Sequence, residues 1–494
     1  MPIDPPPAAA ALPGASPSGA PSDDAGGFDV AGFDIGLLSP VTVGFDGASD
    51  PETSDLGDAG FLRALVAAEV ALARAWAEVG VAPREAADAI SEALGWQDDD
   101  PAASDVLGAA DARRLAAASA AGGNPVIPLV GMLRARVPEH ARPWLHRGAT
   151  SQDILDSALM LTARRSGLSV LGSLVKTDEA LLRFAAAHRD RVAAARTLTQ
   201  HAVPTTVGLR AANWARGLER AAARLDDSLW ELPAQLGGAG GTLASFVQIG
   251  GSRAAAELPA AFAEQLGLAV PAAPWHTVRW PVTELGDALV QVLDALGVVA
   301  ADVAALGRTE IGELAEGTGG GSSAMPQKRN PVGSVLIRSA ALRAPQLGAT
   351  LHTAAALAVD ERPDGAWHAE WPTLRELLRL ALGAAGNAER LVAGLTVDTG
   401  AVARNLGLTG GLIVAERLAL VLGPVIGAER VRRIVAEAGA GGDLGELLDA
   451  EPRLAEAGFG RAEIDELLDP ANYAGLAGEL VDDLTRSPIP EDTQ

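Results

Sequence analysis

The chain contains no cysteine. That excludes disulfides and thiolate metal sites, and leaves the redox compartment undetermined. Aromatic residues are scarce at 4%, with a single tyrosine, so residues that favour strands are few. Positive charge is short as well: 39 Lys and Arg stand against 63 Asp and Glu, a formal net charge of −24. Such a surface repels phosphate, which argues against a nucleic-acid partner, although local arginines can still hold a small anion. No run approaches the roughly 18–20 uninterrupted apolar residues of a membrane span. Residues 1–36 hold no Lys or Arg, so the positive region of a secretory signal is missing and cytoplasmic residence is expected. The seven histidines lack HExxH or similar spacing, so no metal or other cofactor is expected.

Alanine and leucine dominate what remains, and both are strong helix formers. The fold class expected is all-α, and 494 residues exceed one small core. Residues 1–36, rich in Pro, Ala, Gly, Ser and Asp, read as a disordered tail. From Phe61 to Val79, Leu65, Leu72, Trp76 and Val79 recur at helical spacing, with Gly80 as a stop. The series Leu285, Leu289, Leu293, Leu296, Val299, Val303, Leu306 steps by four or three, close to the period of helices packed side by side. Helical patterning also covers 154–195, 207–229 and 335–357. Beyond Gly400 the helices shorten and glycines multiply. The expected division is an N-terminal helical domain at 37–145, a central long-helix bundle at 146–400, and a small C-terminal helical domain at 401–494.

Three polar strings interrupt this background. Residues 317–332 run from glycines through Ser322 and Ser323 to Met325, Lys328 and Asn330, between Pro326 and Pro331. Glycine frees the backbone and proline fixes it, so the segment reads as a mobile hinge joined to a stiff polar tip. Such a loop can close on an anion and bring a hydroxyl, a cation and an amide to it. The bland alternative is an ordinary solvated connection. The second string, His146-Arg147-Gly148-Ala149-Thr150-Ser151-Gln152-Asp153, precedes a long helix. Its free N–H groups suit a carboxylate, but taken alone the string is better explained by Thr150 or Ser151 as an ordinary N-cap with Asp153 in the first turn. The third, Arg196 to Thr206, gathers Thr197, Gln200 and His201, with Arg210 one turn into the next helix. A lone histidine is most often structural, and Arg210 is either an anion ligand or half of an interhelical ion pair.

The string Gly321-Ser322-Ser323-Ala324-Met325-Pro326-Gln327-Lys328-Arg329-Asn330-Pro331 resembles the signature loop of the fumarase/aspartase superfamily. The strings at 146–156 and 196–206 fall where that family has its other two signature regions, in the same order, and the resemblance runs from about Leu37 to the C-terminus. Gly123-Asn124-Pro125-Val126-Ile127-Pro128, the Thr-Ser-Gln-Asp form at 150–153, and Trp367-His368-Ala369-Glu370-Trp371 resemble the 3-carboxy-cis,cis-muconate cycloisomerase branch. That branch includes lyases for other small dicarboxylates, nitrosuccinate lyase among them.

The resemblance implies three helical domains, a homotetramer with a twenty-helix core, and active sites each shared between three subunits. It implies β-elimination from a small di- or tricarboxylate. Ser322 would be the general base, and Lys328 and Asn330 would hold the carboxylate that gathers charge. Thr150, Ser151 and Gln152 would bind the other carboxylate or the leaving group. Asn124, Arg147, Thr197, Gln200, Arg210, Ser323 and Met325 would complete the pocket, with His201 a further catalytic candidate. Serine is a feeble base unless desolvated beside positive charge, which a closed loop carrying Lys328 supplies. Three positions depart from the family's pattern: Leu198 stands where many lyases of the family carry histidine, and Gln327 and Arg210 stand where relatives of the cycloisomerase kind carry histidine and lysine. These departures favour a 2-substituted succinate, such as nitrosuccinate giving fumarate and nitrite, over cycloisomerisation of 3-carboxy-cis,cis-muconate. A catalytically dead structural relative is the reading from another class, and an intact Ser322, Lys328 and Asn330 argue against it.

Overall fold

The computed structural model describes residues 55–317, 320, 325 and 328–486. The tail expected for 1–36 lies outside them, as do Ser322, Ser323 and Gln327. An N-terminal group holds α1 (Asp58–Glu78), α2 (Arg84–Ala93), α3 (Ala109–Gly122) and α4 (Val126–Arg134). Then come α5 (Ser151–Ala187), a hairpin of β1 (Val192–Thr197) and β2 (Gln200–Thr206), α6 (Val207–Trp230), α7 (Ala244–Leu266) and α8 (Trp280–Leu306). The short β3 (Leu314–Ala315) leads to α9 (Val332–Ala356) and α10 (Gly365–Ala393), and β4 (Thr396–Val397) pairs back with β3. The chain finishes with α11 (Thr399–Leu406), α12 (Ala415–Ile426), α13 (Ala428–Gly439), α14 (Leu444–Asp449), α15 (Pro452–Glu456), α16 (Arg461–Leu468) and α17 (Ala477–Thr485). The expected helical class holds, with two small two-stranded sheets added to it.

The bundle follows from the apolar stripes. All seven members of the series from Leu285 to Leu306 are buried on α8, which packs on α6, α9 and α10. By length and composition this one helix among the described residues could cross a membrane; here its stripe faces other helices. Burial of side chains of this size contributes roughly 1.5–3 kcal/mol each. Across α5, α8 and α10 the core also encloses charge. Arg279 bonds Asp156 at 2.7 and 3.1 Å and Glu370 at 2.6 and 3.1 Å, and Trp367 Nε1 donates to Asp156 at 2.9 Å. Burial opposes the Arg279 charge, but its two carboxylate partners prevail and raise its pKa, while burial pushes Glu370 up.

The helical pattern expected up to Ala195 stops at Ala187 instead. Residues 192–206 form a hairpin whose turn, Leu198 and Thr199, has φ +49° and +74°. Positive φ at both central residues is what a two-residue hairpin turn needs, and glycine or asparagine usually marks it. Neither is present, and the alanines of β1 fit a helix as readily as a strand.

At the C-terminus, α12 to α16 enclose a separate core around Leu418, Leu422, Ile434, Leu448 and Ile464. By contrast α17 returns to the bundle: Val481 joins the main core, and Arg189 beyond α5 bonds Asp482 twice at 2.8 Å. The last helix therefore packs with the central helices rather than with the unit expected at 401–494.

Candidate active site

The three strings lie at two ends of the bundle. Helix α5 spans 37 residues, about 55 Å at the rise of an α-helix. The string at 146–153 sits at its start, and the hairpin follows its end. The root of the 317–332 loop lies beside the hairpin, because Glu313 bonds Arg196 there. One chain thus brings the 196–206 hairpin beside the root of the 317–332 loop and keeps the 146–153 string apart.

At the first end, Thr150 is extended and caps α5, and its N–H donates to Asp153 at 2.9 Å. Asp153, fully buried, also accepts from the N–H groups of Gly237 at 2.9 Å and Gly238 at 3.0 Å, and lies 2.9 Å from His276 Nε2. That carboxylate fixes the turn. Gly148, at φ +83°, passes so near Phe246 that a Cβ would lie 2.8 Å from the ring, so only glycine fits. Ser151 opens the helix, and Arg147 extends outward with its guanidinium 5.5 Å from the Trp144 ring. Asn124 Oδ1 accepts from Val126 N–H at 3.1 Å, and His368 Nε2 lies 2.8 Å from the neighbouring Gly123 carbonyl. His146 bonds Glu69 at 2.8 Å; burial lowers its pKa, but the Glu69 charge and hydrogen bond outweigh that and raise it.

Gln152 departs from expectation. It is buried, and its amide donates inward to Asp156 at 3.1 Å and to the His276 carbonyl at 2.9 Å. Its amide nitrogen thus points into α5, while its Oε1 has no hydrogen-bond partner among the described residues. Beside Thr150 stands Arg362, on the loop between α9 and α10. Its guanidinium meets the Thr150 hydroxyl and donates to the Ala239 carbonyl at 3.2 Å.

At the second end, Thr197 and Gln200 face solvent at the hairpin tip, and Leu198 is 96% exposed. His201 pairs with Arg196 across the ladder. Burial, then the Arg196 charge, lowers its pKa against the pull of Glu313, which suits it to accept rather than donate a proton at neutral pH. The Arg210 guanidinium lies under the hairpin, donating to the Ala194 carbonyl at 3.1 Å and 3.9 Å from Glu313, an acid between α8 and β3 rather than on a neighbouring helix.

The loop is pinned at its neck. Glu316 accepts from the N–H groups of Gly333 at 3.1 Å and Ser334 at 2.8 Å, capping α9. Gly320 and Asn330 exchange backbone bonds of 3.0 and 2.9 Å. Gly317 lies against Gly394, where a Cβ would come 2.6 Å from the carbonyl oxygen. Gly317, the first glycine of the expected hinge, is thus close-packed, while Gly319 and Gly321 lie outside the described residues. Lys328 is exposed, and its N–H donates to the Met325 carbonyl at 3.0 Å. Glu313, Glu316 and Arg362 went unread in the sequence. Two acids flanking Leu314-Ala315 just before a glycine-rich loop were the available signal for the first two, whereas a single loop arginine carries none.

A model of the lyase family matches residues 45–345. The chain is 45% identical to nitrosuccinate lyase of Streptomyces davaonensis, over 91% of this chain and 94% of that protein. It is 40% identical to 3-carboxy-cis,cis-muconate cycloisomerase of Pseudomonas aeruginosa, over 87% and 93% respectively. Among solved structures, the 3-carboxy-cis,cis-muconate lactonizing enzyme of Pseudomonas putida superposes with a TM-score of 0.78 at 35% identity, covering 87% of this chain and 95% of that one.

Proposed function

The chain belongs to the lyase family of the fumarase/aspartase superfamily, and from that premise we propose that it eliminates nitrite from nitrosuccinate to give fumarate. The observation that carries this reading is 45% identity to a nitrosuccinate lyase along almost the whole of both chains. Ser322 takes a proton from the carbon beside one carboxylate. The C–N bond on the neighbouring carbon breaks, nitrite leaves with the bonding pair, and the carbon–carbon double bond forms. Lys328 and Asn330 hold the carboxylate on which charge gathers. Thr150 and Ser151, with Arg362 behind them, hold the far end of the substrate. Nitrite is a weak base and needs no proton as it departs, which suits a hairpin tip carrying Leu198 and a His201 biased toward its neutral form.

The working unit in this reading is a cytoplasmic homotetramer with each site shared between subunits. Two facts support it. The ends of α5 stand about 55 Å apart, so one chain cannot close a pocket from all three strings. Apolar side chains also face outward along α8 and α9, with Leu342 79%, Val298 57% and Val335 53% exposed.

Cycloisomerisation of 3-carboxy-cis,cis-muconate is the second reading, favoured by 40% identity to a cycloisomerase. Its reverse is also a β-elimination, with a lactone carboxylate as leaving group. Purified protein given nitrosuccinate should produce fumarate absorbance and equimolar nitrite. Loss of muconate absorbance without nitrite release would replace the first reading by the second. Turnover of neither would call for another leaving group.

A further inference from the structure

We propose that Glu313 is a positioning residue for the reaction, locking the 196–206 hairpin to the root of the 317–332 loop. This rests on the reading above, that both strings serve one chemistry. The Glu313 carboxylate is fully buried and accepts from Arg196 of β1 through two guanidinium nitrogens, at 2.5 and 3.2 Å. It also accepts from Asn405 Nδ2 of α11 at 2.8 Å, and Arg210 of α6 lies 3.9 Å away. Its backbone is held too: the N–H donates to the Leu306 carbonyl at the end of α8 at 2.9 Å, and the carbonyl accepts from Asp398 at 3.0 Å. One residue therefore ties α6, α8, α11, the hairpin and the start of β3.

The charge makes this junction stiff. Burial alone would raise the Glu313 pKa, but the bonds from Arg196 and Asn405 and the two guanidinium charges hold it below the usual carboxylate range. Without the carboxylate, Arg196 and Arg210 would face each other under the hairpin uncompensated, and charge-assisted, bidentate bonds are the strong ones. Arg196 lies opposite His201 in the ladder, one residue from Thr197, so a shift of its guanidinium moves the tip directly. On the other side, Glu316 sits three residues beyond Glu313 and caps α9. Glu313 touches neither the exposed tip nor Lys328, so any effect on turnover passes through them.

The experiment compares wild type with Glu313→Gln, Asn405→Ala and Arg196→Lys, reading kcat and KM for nitrosuccinate, Tm, and hydrogen exchange of peptides covering 196–206 and 314–334. Misplacing groups by an ångström costs about 100-fold in rate, so Glu313→Gln should lower kcat by about that factor with KM little changed. Both peptides should exchange faster while the bundle helices do not. Arg196→Lys, which keeps the charge and loses the fork, should fall between. Wild-type kcat in Glu313→Gln, or exchange rising throughout the molecule, would overturn the proposal. If Glu313→Gln does not fold, Arg196→Lys and Asn405→Ala report the same paired effects and decide the matter. If wild type fails to turn over nitrosuccinate, the functional reading falls, and the exchange data alone decide whether Glu313 ties the two segments.

Discussion

Arg362, on the loop between α9 and α10, places its guanidinium against the Thr150 hydroxyl at the start of α5. Thr150 keeps its helix cap through Asp153 whether or not Arg362 is present. The arginine is therefore available to add positive charge to the helix end rather than to build it. Arg362→Ala should lower kcat/KM by roughly 10- to 100-fold, mainly through KM, since a charge-assisted bond contributes about 1.5–3 kcal/mol. Arg362→Lys should recover only part of this, because the shorter lysine keeps the charge but stops short of the guanidinium nitrogen that reaches both Thr150 and Ala239. Steady-state kinetics with an unchanged Tm would support the assignment; an unchanged KM in the alanine variant would remove Arg362 from the site.

On the proposed reading, Ser322 and Thr150 reach one site from different subunits. Each of Ser322→Ala and Thr150→Ala should abolish or nearly abolish turnover while light scattering on the eluting peak still reports the wild-type oligomer. Subunits of the two variants, dissociated and reassembled together, should regain activity, because some shared sites then receive both intact strings. No recovery in verified mixed oligomers would mean that each chain completes its own site.

Much of this arrangement was legible in the sequence, and the rest was hidden for identifiable reasons. Helix α6 begins at Val207 as its pattern predicts, and the α8 leucine series is buried throughout, since period alone sets which face turns inward. The 192–206 hairpin was not legible, because Ala193, Ala194 and Ala195 carry no strand signal and the turn lacks glycine. Gln152 enters the candidate site only through the family resemblance, beside Thr150 and Ser151. Helical geometry turns the next residue toward Asp156, one turn on along α5. Arg196 with Glu313 and Thr150 with Arg362 are long-range pairs, and no local pattern in a single sequence encodes them.

Gly317 offers a test of the loop root that leaves its chemistry untouched. A Cβ there would lie 2.6 Å from the Gly394 carbonyl oxygen and 2.9 Å from its Cα, and backbone cannot swing aside as a flexible side chain can. Gly317→Ala should therefore displace the root, lowering kcat by at least about tenfold. Tm should stay near wild type, because the main core lies in the helices. A Gly317→Ala enzyme with full kcat would show that the loop works independently of this contact.

Asp178 gives the fold a pH dependence of unusual sign. It is buried on α5, and burial, followed by the charges of Glu219 and Glu179, pushes its carboxyl from 3.8 to about 7. Its Oδ1 has no hydrogen-bond partner among the described residues. The folded chain therefore keeps a proton that the unfolded chain releases between these values. Because the unfolded state binds fewer protons in that window, this group's contribution to stability falls as pH rises from about 4 to about 7, then levels off. Tm at fixed ionic strength should decline across that range, against the usual rise from paired carboxylates. Asp178→Asn should flatten the decline and raise Tm by a few degrees at pH 8, roughly 2–4 °C per kcal/mol for a large domain. A variant with an unaltered slope would show that Asp178 does not hold this proton in the folded chain.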